Sequence, residues 1–182
     1  ELRLKGLKAN KDPWRIAIEA PSLERGLVQK VLIPGDVAVA TSGDYRNYFE
    51  KDGKRYSHTI DPRTGYPLDH QLASVTIIAE TAVFADALAT GFMVLGADAS
   101  LKVAEKNKLA VYLLVKEGDA FKGYYSSAFA PYLRSKTDPY RVRKEDVAEL
   151  PVDEYANRLK LFISMCKNFN IIPVFMTQPL SN

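Results

Sequence analysis

The feature that most constrains the fold is a change of sequence period between residues 74 and 96. Residues 74–79, SVTIIA, are apolar and mostly β-branched, which is typical of a buried strand. Residues 81–96, TAVFADALATGFMVLG, consist mainly of helix formers, with Thr81 as an N-cap and Gly96 as a C-terminal stop. A chain that passes directly from a buried strand into a capped, apolar helix needs both a sheet layer and a helix layer.

Strand-like segments lie on both sides of this unit. A hairpin is predicted around the turn dipeptide Asp52–Gly53, and a second helix is predicted over 99–107. The remaining predicted strands cover residues 1–8, 14–20, 27–33, 36–43, 109–118 and 121–127. The pattern predicts an α+β fold built from mixed α/β layers.

The character of the chain changes near residue 135. We predict one domain over residues 1–134, followed by a polar linker and a helix-strand tail over 135–182. In that tail, Cys166 falls on the apolar face of the predicted helix, which favours a core position over a nucleophile. The chain opens without methionine on a strand-like segment, so we expect it to be the interior of a longer protein.

Composition excludes several classes of function. The net charge of +3 is spread along the chain, and without a basic block we expect no nucleic-acid partner. The single cysteine excludes an internal disulfide and a zinc cluster. We expect no membrane span, because the longest apolar stretch, residues 82–97, is too short and is interrupted by Asp86.

One pair of polar residues stands out in the predicted helix over 81–96. Asp86 and Thr90 are four residues apart, so their side chains share one helix face. The sequence around them is rich in alanine, and a carboxylate on a buried face needs a partner. Mg²⁺, held together with the phosphates of a ligand, is one such partner. The other interpretation places Asp86 at the helix rim, in water or beside a lysine.

A second candidate is the loop YSHTIDPRTGYP, residues 56–67. His58 can donate to a phosphate or accept a proton from an alcohol, and Arg63 can hold phosphate oxygens with two N–H groups. Asp61 lies beside them, and Thr64 and Gly65 offer a hydroxyl and an accessible backbone N–H. The alternative is a surface turn that begins at Asp61–Pro62 and uses Gly65 for a positive φ.

A third candidate is the end of the predicted strand over 36–43. Thr41, Ser42 and Gly43 are small residues that permit close approach of a ligand to the backbone. Aromatic residues follow at 45, 48, 49 and 56 and could flank a flavin or adenine ring, although ordinary packing also accounts for them. His70, just past the loop, is expected to be a surface residue.

The order of three elements is more specific than any one of them. SGDY at 42–45, SHTIDPRTG at 57–65 and ADALAT at 85–90, in this order, resemble the ApbE family of FAD:protein FMN transferases. The resemblance covers about residues 1–134 and implies an ApbE-like fold that lacks its N-terminal part. It implies FAD and Mg²⁺ as cofactors and transfer of FMN to a threonine hydroxyl of an acceptor protein, with release of AMP.

The resemblance also assigns roles to the candidate residues. His58 becomes the flavin-site and catalytic histidine, and Asp86 and Thr90 become the Mg²⁺ ligands. The Thr41–Gly43 turn and the loop residues Asp61, Arg63, Thr64 and Gly65 would line the FAD site. Some family members have aspartate where this chain has Ala89, which would remove one metal-side carboxylate. The family also implies an extracytoplasmic location, in the periplasm or cell envelope.

Three other functions stay open at this point. Water in place of the threonine would make the protein an FAD pyrophosphatase that yields FMN and AMP. Without the missing N-terminal part, which carries further flavin contacts and a metal ligand in the family, the chain would be a non-catalytic flavin-binding fragment. Residues 139–182 resemble a helix-strand unit of SGNH (GDSL-type) hydrolases, so the tail would belong to an esterase.

Overall fold

The computed structural model describes residues 1–21, 27–45, 48–51 and 54–133. These residues form eleven strands, two α-helices and one 3₁₀ helix, Ala130–Tyr132. The helices are α1 (Ala82–Leu95) and α2 (Ala97–Asn107). The strands are β1 (Leu2–Arg3), β2 (Ile16–Glu19), β3 (Val28–Leu32), β4 (Ala38–Gly43), β5 (Tyr48–Lys51), β6 (Lys54–Ser57), β7 (Ile60–Asp61), β8 (Tyr66–Pro67), β9 (Leu72–Ala79), β10 (Ala110–Glu117) and β11 (Ala120–Tyr125).

The centre of the fold is a five-stranded antiparallel sheet with the order β1-β4-β9-β10-β11. The predicted buried strand over 74–79 is its middle strand, β9, whose first seven residues are all buried. Three two-stranded ribbons, β2–β3, β5–β6 and β7–β8, complete the strands. The β5–β6 pairing confirms the hairpin predicted around residues 52–53. The architecture confirms the predicted α+β class.

Side chains alternate across the central sheet and form a core on each face. On one face, α1 and α2 cover a core that includes Ala40, Ile77, Ala85, Ala89 and Met93. On the other face, β2 and β3 cover a core that includes Ile16, Leu32, Val39, Tyr112 and Phe129. The sheet is therefore buried on both faces, which explains why β9 is apolar along nearly its whole length.

Helix α1 begins and ends where the sequence predicts. The hydroxyl of Thr81 accepts a hydrogen bond from the Phe84 N–H (3.3 Å), which is an N-cap. Gly96 follows the last residue with φ of 79°, and its N–H donates to the Phe92 carbonyl (3.2 Å). The buried Ser100 hydroxyl of α2 donates to the same carbonyl (2.9 Å), so the two helices are joined at this turn.

The predicted linker and tail, residues 135–182, lie outside the described residues. The division at residue 134 and the role of Cys166 therefore remain predictions. Within the described ranges, no helix combines the length and the apolar character that crossing a membrane requires.

Candidate functional site

Asp86 and Thr90 lie one turn apart on α1, and both side chains are exposed. The exposure of Asp86 agrees with the interpretation that places it at the helix rim, and not with the one that places it on the alanine-rich buried face. That face consists of Ala85, Ala89, Phe92 and Met93, and Asp86 lies at its edge, about 100° around the helix axis from Ala85. The carboxylate is therefore in contact with water in this chain, so the cost of burying a charge does not require a cation here. What the pair offers is two adjacent oxygen donors that a ligand can reach.

Exposed apolar side chains also lie on the outside of α1, at other positions around the helix. Val83 is 82% exposed and Phe84 is 52% exposed, and Leu95 at the far end of the helix is 40% exposed. Val83 and Phe84 are neighbours in the first turn of α1, so the uncovered apolar surface is concentrated at that end of the helix. The outer side of α1 thus combines oxygen donors with an uncovered apolar surface.

The loop after His58 folds into a compact hairpin. Strands β7 and β8 pair, and Gly65 adopts φ of 74° between them. The Arg63 guanidinium holds the Asp61 carboxylate through Nε–Oδ1 (3.0 Å) and Nη2–Oδ2 (2.7 Å) contacts. The Arg63 side chain and backbone N–H together lower the pKa of Asp61 to about 2. The positive φ of Gly65 agrees with the surface-turn interpretation, and the Asp61–Arg63 ion pair is a further contact within the loop.

The same hairpin uses donors that the sequence suggested for a ligand. The N–H of Gly65 donates to the Asp61 carbonyl (2.8 Å), so the expectation that this N–H is available is wrong. The Thr64 hydroxyl oxygen accepts from the Tyr66 N–H (3.2 Å) but keeps its own proton to donate. Arg63 is exposed, and only two of its five N–H groups bond to Asp61. Arg63 and Thr64 therefore remain the loop residues that can donate hydrogen bonds to a phosphate.

The small residues at the end of β4 divide between the two faces of the sheet. Thr41 lies on the face away from the helices, and its hydroxyl bonds to that of Thr76 (2.8 Å). Ser42, one residue on, lies on the helix face by alternation. Gly43 is buried, and a Cβ there would lie 3.0 Å from the Tyr45 ring and 3.1 Å from the Ala73 carbonyl. The structure thus separates Thr41 from α1, and Gly43 serves packing within the sheet.

A polar cleft of about 190 Å³ opens beside the end of β4. It joins the segment that follows Gly43 to the start of the loop, because Asp44, Tyr45 and Ser57 all line it. His58, which is exposed, comes directly after Ser57. The other lining residues are Leu68, Asp69, His70, Gln71, Ala73, Lys116 and Phe121. Two of the three sequence elements therefore meet at one cleft.

His70 is the residue that sequence reasoning missed. It is half-buried, and both of its ring nitrogens make hydrogen bonds, so the expectation of a surface residue is wrong. Nδ1 accepts from the Leu72 N–H (3.3 Å), and Nε2 lies 2.8 Å from the carbonyl of Met93 in the last turn of α1. No local pattern predicts this contact, because His70 and Met93 are 23 positions apart.

The donors on α1 suit a hard divalent cation. A carboxylate and a hydroxyl are oxygen ligands of the kind that Mg²⁺ prefers, and Mg²⁺ usually keeps several waters or substrate phosphates. Over the described ranges, no three His, Cys, Asp or Glu side chains cluster closely enough to hold a metal ion. Asp86 and Thr90 therefore fit as part of a coordination shell, whose remaining positions belong to water and ligand phosphates. Their role as ligands remains a prediction.

Comparison with known proteins gives a consistent result. The model of the ApbE family matches residues 1–113. The chain is 54% identical over 133 residues to the FAD:protein FMN transferase of Vibrio cholerae serotype O1, covering 73% of this chain and 40% of the relative. It is 47% identical over 135 residues to the FAD:protein FMN transferase of Escherichia coli K12, covering 74% and 38%. The chain thus spans about two fifths of the length of the curated relatives it matches.

Solved structures agree with the sequence comparison. The flavin transferase ApbE from Vibrio cholerae superposes with a TM-score of 0.63 at 50% identity, covering 72% of this chain and 41% of that one. The ApbE protein from Thermotoga maritima gives a TM-score of 0.63 at 36% identity, covering 73% and 42%. A family model that matches more than half of the chain, relatives near half identity and a shared fold lead to one conclusion: this chain belongs to the ApbE family.

Proposed function

We propose that the chain is part of an enzyme that transfers FMN from FAD to a threonine hydroxyl of an acceptor protein, releasing AMP. The observation that carries this proposal is the Asp86–Thr90 pair, exposed one turn apart on α1, in a chain 54% identical to an FAD:protein FMN transferase. The name of that relative supports FAD as the donor and a protein as the acceptor. Mg²⁺ and the threonine are the finer parts of the proposal.

The reaction exchanges a phosphoanhydride bond of FAD for a phosphoester bond to the acceptor. The bond between the FMN phosphorus and the bridging oxygen of FAD breaks, and the bridging oxygen leaves with AMP. A new bond forms between that phosphorus and the threonine oxygen, whose proton must be removed. Charge therefore develops on the leaving oxygen, and a base is needed at the attacking one.

Five side chains of this chain supply these needs in the proposal. His58 is exposed directly after Ser57 of the cleft and can accept the threonine proton. Arg63 and the Thr64 hydroxyl can bind phosphate oxygens from the loop. Asp86 and Thr90 would hold Mg²⁺. When bound, Mg²⁺ neutralises charge on the diphosphate oxygens.

The exposed apolar side of α1 fits a role within a larger protein. Val83 and Phe84 are exposed in the same first turns of the helix as Asp86, with Val83 on the side nearer to Asp86. Because the chain spans about two fifths of its relatives' length, we propose that a further part of the family fold covers this surface. Such a segment would shield the bound metal and the ligand phosphates from bulk water. We also propose an extracytoplasmic location, supported by family membership and tested by cell fractionation.

Substitution of the metal-side carboxylate tests the proposed function. The chain is incubated with FAD, Mg²⁺ and a threonine-bearing acceptor protein, and acceptor-bound flavin fluorescence and released AMP are both measured. Asp86→Asn should lower the labelling rate at limiting Mg²⁺ at least ~10-fold, since even indirect supports of a metal are worth 10–100-fold in affinity. Because Asp86 is exposed, the free energy of unfolding should change by less than about 0.5 kcal/mol.

Asp119→Asn is the matched control, because Asp119 is an exposed aspartate in the β10–β11 turn. Its labelling rate should equal that of the wild type. Equal rates for Asp86→Asn at every Mg²⁺ concentration would show that Asp86 is not a metal ligand. Release of AMP and free FMN with an unlabelled acceptor would show that the enzyme is an FAD pyrophosphatase.

A further inference from the structure

His70 connects the beginning of β9 to the end of α1. Its Nδ1 accepts a hydrogen bond from the N–H of Leu72, the first residue of β9. Its Nε2 lies 2.8 Å from the carbonyl oxygen of Met93, in the last turn of α1. The ring also packs beside Gly96, where an added Cβ would lie 3.6 Å from His70 Cδ2. One side chain thus joins two elements that run in opposite directions along the sheet.

This contact gives α1 a second attachment to the same strand. At its N-terminal end, α1 is joined to β9 by Glu80 and by Thr81, which caps the helix. At its C-terminal end, the last four carbonyls have no partner within the helix. The Phe92 carbonyl is bonded by Gly96 and Ser100, and the Met93 carbonyl is bonded by His70. Helix α1 is therefore held to β9 at both ends.

The geometry requires a side chain with an acceptor and a donor in fixed positions. Because Nδ1 faces the Leu72 N–H, it must be unprotonated, and the ring proton is then on Nε2, which donates to Met93. A neutral histidine meets both requirements with one rigid ring. Asparagine can reproduce only the nearer acceptor, and glutamine only the farther donor, since the amide atoms match those ring positions in bond count.

We infer that His70 is a positioning residue for the helix that carries Asp86 and Thr90. Thr90 lies three residues before Met93, and Asp86 lies seven residues before it. Along the helix axis, Thr90 is therefore about 4.5 Å and Asp86 about 10 Å from the tether. By holding the last turn of α1 against β9, His70 sets where these two oxygen donors stand relative to the sheet. The metal part of this inference rests on the proposed function, whereas the tether itself does not.

Amide hydrogen exchange tests the tether without any ligand. His70→Asn keeps the hydrogen bond from the Leu72 N–H but loses the one to the Met93 carbonyl. His70→Gln keeps the hydrogen bond to the Met93 carbonyl but loses the one from the Leu72 N–H. In His70→Asn, amides in the last two turns of α1 should exchange about fivefold faster, the expected effect of one lost hydrogen bond. His70→Gln should exchange these amides at the wild-type rate. Asn107→Ala is the control, because it removes a comparable side-chain bond, 2.8 Å to the Val103 carbonyl at the end of α2.

The Mg²⁺ concentration that gives half the maximal rate of FMN transfer then tests whether His70 positions Asp86 and Thr90. His70→Asn should raise it by a similar factor of about five at unchanged maximal rate, while His70→Gln and Asn107→Ala stay at the wild-type value. Equal exchange in all variants, or faster exchange spread over α1 and β10 alike, would overturn the tether. Faster exchange confined to α1 with an unchanged half-saturation would overturn positioning. A wild-type chain without Mg²⁺-dependent transfer would refute the proposed function and the positioning role together, while the exchange rates still decide the tether.

Discussion

Replacing Gly123 by alanine tests the packing on the sheet face opposite the helices. Gly123 lies in β11, and the side chain of Tyr112 from β10 crosses over it. A Cβ at Gly123 would lie 2.1 Å from the Tyr112 hydroxyl oxygen and 2.7 Å from its Cζ. Real Cβ contacts stay beyond 3.0 Å, so the Tyr112 ring or strand β11 must move.

Neither movement is easy for this ring. Tyr112 is 1% exposed, and its ring lies 5.5 Å from that of Phe129 and 6.4 Å from that of Tyr125, centroid to centroid. Added atoms in a well-packed core typically cost about 1–3 kcal/mol. Because the overlap is nearly 1 Å with a buried, flanked ring, we expect the upper end, about 3 kcal/mol of unfolding free energy.

Urea unfolding followed by circular dichroism measures this cost. Gly91→Ala is the control, because Gly91 lies in α1 with nothing within 4 Å of its added Cβ. That change should stabilise the chain by about 0.5–1 kcal/mol, as expected for glycine to alanine inside a helix.

Repeating Gly123→Ala in a Tyr112→Phe background shows whether the Tyr112 hydroxyl causes the loss of stability. In Tyr112→Phe, the atom nearest to the new Cβ is gone, and the cost of Gly123→Ala should fall by about 1 kcal/mol or more in a double-mutant cycle. The reasoning is refuted if Gly123→Ala unfolds within 0.5 kcal/mol of the wild type. An identical cost in the Tyr112→Phe background would show that the clash is not with the hydroxyl.

Two further predictions concern the candidate site. Carboxyl titration by NMR should place the Asp61 midpoint near 2 and, in Arg63→Ala, return it toward about 3.9; an unchanged midpoint would show that Arg63 is not the cause. Because the folded pKa is the lower one, the pair stabilises the fold above about pH 4 and loses this effect as pH falls through 2, so it adds no pH dependence between pH 5 and 8. Gly43→Ala should cost about 1–2 kcal/mol in thermal unfolding, since its Cβ would meet Tyr45 and Ala73 at 3.0 and 3.1 Å; an unchanged midpoint would show that the neighbours yield freely.

The sequence by itself determined the elements whose causes are local. Thr81 and Gly96 bound α1, because a cap and a positive φ depend on residues within one turn. The β-branched run over 74–79 predicts the central strand, since β9 is buried on both sides. The spacing of Asp86 and Thr90 places both on one turn of a helix wherever that helix packs. Family membership also followed from sequence, through three short elements in a fixed order.

Only the tertiary structure decided which sides of these elements face one another. Alanine is compatible with either side of α1, so the sequence could not show that Asp86 points outward from the alanine-rich core. The packing of α1 on one face of the sheet separates it from Thr41, whose side chain lies on the other face, whereas Ser42 beside it lies on the helix side. The contact between His70 and Met93 forms because α1 folds back along β9, and a contact across 23 residues depends on that packing and leaves no periodic signal in the chain.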